Sequence, residues 1–145
     1  MNSSNKSQVG ILAWNMRSLS GAKHYINDII DKGDKSADFI CVSEHRLFEC
    51  ELFKLDDINA DYFCHAKASK DLLSKNQSVM RGHCGVAILW KRSLGHCVKV
   101  IDIQSDRICC VEMVNVICQK SLFIISVYLP QQGCKIACYK DEVEI

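Results

Sequence analysis

Two stretches, Val9-Gly10-Ile11-Leu12-Ala13-Trp14-Asn15 and Asp38-Phe39-Ile40-Cys41-Val42-Ser43-Glu44-His45, decide the fold. Each is a short apolar run that ends on polar residues, the pattern of a strand buried on both faces. Between them Ala22, Tyr25, Ile26, Ile29 and Ile30 recur at helical spacing over Ala22 to Lys32, with Gly33 placed to stop the helix. Strand, helix and strand in that order make a β-α-β unit, whose crossover makes the two strands parallel. Their carboxyl ends then lie side by side, the usual ligand position in α/β sheets, with Asn15 on one tip and Glu44 on the next. Singly, these are an ordinary turn amide and a solvated carboxylate. Together they form half of a site for a hard divalent cation and the phosphate it binds.

Further along, the pattern changes. Asp61 to His65, Gly85 to Trp90, Val98 to Asp102, Ile108 to Val114 and Leu122 to Tyr128 read as five strands joined by turns and a long basic loop, without helices between them. The strands around Val111 and Ile125 are expected to be antiparallel. Pro130 ends the last strand, and Lys135 to Val143 is weakly helical. The chain then stops without a cap signal, as if unfinished.

The chain has 145 residues, 48% apolar and 24% charged, which suits one globular domain and excludes general disorder. Residues 1–8, polar and rich in Ser and Asn, are expected to be a disordered leader to a domain over 9–145. No apolar run approaches the roughly 18 to 20 residues that cross a bilayer, and no signal-peptide core follows the leader. The expected location is nuclear or cytoplasmic, without secretion or a membrane partner. Of ten cysteines, Cys41, Cys109, Cys110 and Cys118 sit inside apolar runs and read as small buried hydrophobes. No Cys-x-x-Cys occurs, and Cys134-x-x-x-Cys138 lacks a second pair, which argues against structural zinc. The net charge of +1 hides a segregation: residues 28–61 balance at −6 and residues 65–99 at +6. The basic stretch is either a phosphate-backbone contact or a solvated face.

Five motifs in order carry a resemblance. Ile11 to Leu19 resembles the opening strand motif of the endonuclease/exonuclease/phosphatase (DNase-I-like) superfamily, and Asp38 to His45 resembles its metal-binding-glutamate motif. Gly85-Val86-Ala87-Ile88-Leu89-Trp90, Asp106-Arg107-Ile108-Cys109-Cys110-Val111 and Ser126-Val127-Tyr128-Leu129-Pro130 resemble the three that follow. The wording is nearest to the apurinic-endonuclease-like domains of non-LTR retrotransposons. The resemblance implies an α/β (α+β) fold with a mixed sheet, part of a four-layer α/β sandwich. It implies Mg²⁺, with Mn²⁺ as a substitute, and catalytic residues Asn15, Glu44 and Tyr128. Glu44 holds the ion, with Asn15 in the metal site and bonded to the phosphate or the nucleophile's surroundings. Tyr128 donates its hydroxyl to a phosphate oxygen, and Arg107 is structural before catalytic.

The departures matter as much. The family's downstream Asp-x-Asn, further Asp and terminal Ser-Asp-His do not follow Tyr128, and none of His24, His45, His65, His83 and His96 matches the family's catalytic histidine. A group that activates the nucleophile is worth about 10²- to 10⁴-fold in rate. The expectation is therefore the amino-terminal part of a Mg²⁺-dependent endonuclease domain of retrotransposon origin, inactive alone. Its partners are DNA for the intact domain and a missing carboxy-terminal half or another chain. Cys84, where many relatives carry glycine, puts the tightness of that turn in question. The rival readings are a phosphatase or phosphodiesterase of the same fold acting on a small or lipid phosphate, and a non-catalytic interaction module.

Overall fold

The computed structural model describes residues 8–32, 37–68, 84–115 and 120–129. β1 (Ile11–Asn15), α1 (Leu19–Lys32) and β2 (Phe39–Ser43) form the expected β-α-β unit, and β1 and β2 pair in parallel with Asn15 opposite Ser43. The helix starts three residues before the apolar spacing does. Leu19 is already buried, and its N–H donates to the His45 carbonyl at 3.0 Å.

After β2 come a 3-10 turn (Glu49–Glu51), α2 (Phe53–Asp56), β3 (Tyr62–Lys67) and β4 (Val86–Lys91). A second 3-10 turn (Arg92–Leu94) leads into β5 (Val98–Ile101), β6 (Ile108–Asn115) and β7 (Lys120–Val127). The first sheet is mixed, in the order β1-β2-β4-β3, and the second runs β5-β6-β7. Its strands are antiparallel, with Val111 opposite Ile124 and Cys110 opposite Ile125.

Burial explains the layering. Ala22 and Ile26 of α1 and Leu55 of α2 pack with Ile40, Val42, Leu89 and Tyr62 on one face of the first sheet. On the other face, Phe39, Val86, Ile88 and Trp90 meet Cys109, Val111 and Ile124 of the second sheet. β2 and β4 are thus covered on both sides, which is why their sequences are nearly continuous apolar runs. Truncating the fully buried Phe39 at this contact is worth about 3 to 5 kcal/mol.

β1 departs from its expected burial. It is the edge strand, with Leu12 and Trp14 packed on the helical side and Ile11 52% exposed on the other. Among the described residues, the second sheet has three strands and does not cover that face of β1. α2 was also not expected. Leu52, Leu55 and Ile58 join the helical core at three-residue spacing, a signal diluted by the acidic residues among them.

All seven described cysteines are free thiols. Cys109 and Cys110 are buried as expected, whereas Cys41 is only half-buried, and burial pushes the Cys109 thiol up to about 12. Cys118, Pro130, Cys134, Cys138, Gly33, residues 1–7 of the leader expected over 1–8 and the helix expected over 135–143 lie outside the described residues. No described helix is long and apolar enough to cross a membrane.

Candidate active site at the strand tips

The parallel pairing of β1 and β2 delivers Asn15 and Glu44 to one place. The Asn15 amide nitrogen donates to Glu44 Oε1 at 2.8 Å, while the Asn15 amide oxygen accepts the Arg17 N–H at 3.1 Å. Asn15 therefore turns its donor to the carboxylate, and its oxygen is engaged by its own turn. Arg46 Nη2 donates to the other carboxylate oxygen, Oε2, at 3.2 Å.

Tyr128 arrives from the second sheet. The Ser126 hydroxyl donates to the Val42 carbonyl at 3.1 Å in the buried space between the sheets, which sets β7 against β2. Two residues on, the Tyr128 N–H donates to the Arg107 carbonyl at 3.0 Å, and its hydroxyl lies beside Glu44. Asn15, Glu44 and Tyr128 are thus brought together from three strand ends. The Arg107 guanidinium reaches Cys84 Sγ at 3.6 Å.

These contacts hold Glu44 ionised. Its carboxyl lies below the usual range chiefly because Asn15 donates to it, with Tyr128 and Arg46 adding and partial burial opposing. Tyr128 is pushed up by burial first and then by the neighbouring Glu44 carboxylate. The Glu44 side chain is 14% exposed, so it is sheltered and still open at the tip.

The backbone here is unusual. Arg17, Ser18, Glu44, Arg46 and Cys84, at φ 52°, 133°, 57°, 56° and 56°, are the non-glycine residues with positive φ among the described ones. All adjoin this end of the first sheet. Each such conformation costs about 1 to 3 kcal/mol and persists where its surroundings enforce it. Cys84 tolerates its position in this way: it takes the left-handed conformation and its carbonyl accepts the Arg46 N–H at 2.9 Å.

Among the described residues no group of three or more His, Cys, Asp or Glu is placed to cage a metal. Among the described residues, the basic stretch does not line the site. Lys67 bonds the Ile103 carbonyl and pairs with Asp102 at 3.8 Å, facing a cleft of about 710 Å³ lined by residues such as Glu49, Ala66 and Asp106. Lys91 pairs with Asp38, and Arg92 lies 4.3 Å from the Phe63 ring centre. Both are at the far end of β4, about 20 Å of strand from Glu44. Residues 69–83 of that stretch lie outside the described residues.

The fold has solved counterparts. An AP endonuclease from Leishmania major superimposes with a TM-score of 0.65 at 10% identity, over 89% of this chain and 42% of its own. An AP endonuclease from Archaeoglobus fulgidus gives 0.58 at 20% identity, over 93% and 46%. A Neisseria 3′ phosphatase bound to product DNA hairpin gives 0.50 at 17% identity, over 83% and 41%. The fold is DNase-I-like. The chain spans less than half the length of these DNase-I-like structures. No family model and no curated protein sequence matches it.

Two residues at the tips were missed as site residues. Arg46 touches the carboxylate directly, and His45 is buried at 0% exposure between its two outward neighbours. A fully polar triplet directly after an apolar strand was the available signal, because one of three such residues has to turn inward.

Proposed function

We propose that this chain carries the metal-binding part of a phosphodiester hydrolase that acts on DNA, akin to the nuclease domains of non-LTR retrotransposons. One observation supports this above the others: the Glu44 carboxylate collects donors from Asn15 and Arg46, with the Tyr128 hydroxyl beside it, at the meeting point of two sheets.

The donor set fits a hard cation. Mg²⁺ is commonly held by one or two carboxylates and takes the rest of its shell from water and substrate phosphate. An ionised, partly open carboxylate with no surrounding cage among the described residues meets that requirement. When bound, the ion polarises a phosphoryl oxygen and offsets the charge that builds up in the transition state.

The chain's own residues do the rest. Glu44 presents the ligand oxygens, and Asn15 orients them by donating to Oε1. Tyr128 places an O–H donor beside the carboxylate, where a phosphate oxygen would lie. Arg46, 39% exposed, supplies a cation that can turn from Glu44 to a phosphate.

Titration with Mg²⁺ or Mn²⁺, followed by nicking of supercoiled plasmid, tests the reading. The native chain is expected to bind the ion, and Glu44→Gln to lose it by more than about 100-fold, beyond the cost of losing a supporting partner. Absence of binding by the native chain, or nicking that survives Glu44→Gln, overturns the proposal.

A further inference from the structure

The His45 ring is hydrogen-bonded at both nitrogens, yet it faces away from the surface. It is fully buried. Nδ1 accepts the Leu47 N–H at 3.1 Å, which leaves the ring proton on Nε2, and Nε2 donates to the Lys67 carbonyl at 3.0 Å. That carbonyl ends β3. The His45 backbone carbonyl accepts from Leu19 at the start of α1. Gly85 leads into β4, and a Cβ there would fall 2.3 Å from the ring, with a backbone φ of 93° that also demands glycine. One residue therefore touches the start of α1, the end of β3 and the start of β4.

The consequence falls on its neighbours. Glu44 and Arg46, on either side, hold φ of 57° and 56°, and their N–H groups donate to the Gly85 and Cys84 carbonyls at 2.8 and 2.9 Å. With the ring drawn inward, the side chains before and after it point outward, where Arg46 meets Glu44 at 3.2 Å. Two consecutive left-handed excursions around one residue are unfavourable unless something inside holds that residue.

We propose that His45 is the positioning residue of this site: seated under Gly85 and bonded to Lys67 and Leu47, it fixes the backbone turn that presents Glu44 to Asn15 and to an incoming cation. It touches no substrate. The positioning stands on the geometry alone, and its consequence for a cation rests on the metal reading above.

The test uses three variants of the whole chain. His45→Leu keeps bulk and loses both ring bonds. His45→Asn keeps an acceptor for Leu47, and His45→Gln keeps a donor toward Lys67. The first readout is the Asn15 side-chain amide resonance in metal-free protein, identified by its loss in Asn15→Ala. It should move to an unbonded value in His45→Leu and lie between that and native in the two amide variants. The second is Mn²⁺ affinity, expected to fall about 10- to 100-fold in His45→Leu, as when a supporting partner of a ligand is removed, and to recover in part in the amide variants.

A folded His45→Leu with a native Asn15 resonance overturns the proposal. If His45→Leu does not fold, the amide variants decide: native resonances in both overturn it, and intermediate ones support it. A native chain that binds no Mn²⁺ removes the metal reading, while the resonance still decides the positioning.

Discussion

The two ends of the first sheet share their strands and differ in how they are built. At the far end, Asp38 accepts from the Gly10 N–H at 2.9 Å and from Lys91 Nζ at 3.2 Å, and the Tyr62 hydroxyl donates to the Ala37 carbonyl at 2.6 Å. Every described non-glycine residue there has negative φ. At the near end, the backbone bends through left-handed conformations, and the charge it carries faces outward. The first end uses charge to hold the chain together. The second uses the chain to hold a charge in place.

That contrast can be broken from either side. The largest expected effect on stability comes from Asp38→Ala. Removing one partner of a buried pair costs about 3 to 5 kcal/mol, and the 20% exposure of Lys91 brings the expectation toward the lower value. Urea unfolding measures the loss, and Mn²⁺ affinity should stay native. Glu44→Gln is expected to show the reverse, abolishing ion binding with a stability change of about 1 kcal/mol or less, as for a pair near the surface. Equal stability losses at the two ends would erase the distinction.

Asn15→Ala sharpens it. Without its main donor, Glu44 should titrate nearer its ordinary value, and ion affinity should fall about 10- to 100-fold. A carboxyl lowered in the folded state adds stability above its unfolded value of 4.5, and that stability is lost as pH falls through the folded value. Carboxyl titration followed by NMR should show this low-pH step weakened in the variant.

The smallest effect concerns His65, whose buried Nε2 has no hydrogen-bond partner among the described residues. Burial lowers its pKa, Lys67 adds to the shift, and Asp102 opposes it. The unfolded chain takes up the proton more readily, so stability should decline as pH falls through 6.5, by less than about 1.4 kcal/mol per pH unit. Melting temperature against pH should flatten there in His65→Leu.

The β-α-β unit and the five later strands were legible because largely apolar runs of four to eight residues ending on polar ones leave few alternatives. The pairing of Asn15 with Glu44 followed from parallel strands alone. The edge position of β1 was not legible: Ile11 to Trp14 is as apolar as β2, and which strand lies at the edge depends on pairings made much later in the chain. His45 was hidden for a different reason. A polar residue after a strand is usually solvated, and its burial follows from Gly85, forty residues away, leaving space for a ring.

The hydroxyl of Ser126 on the carbonyl of Val42 acts as a rivet through the middle of the sandwich. Because Tyr128 rides on one plate and Glu44 on the other, the phenol-to-carboxylate spacing is a gauge of slippage between them. A methyl group added or removed deep among Ile88, Val111 and Ile124 would register at the surface as a chemical fault, well before the molecule came apart.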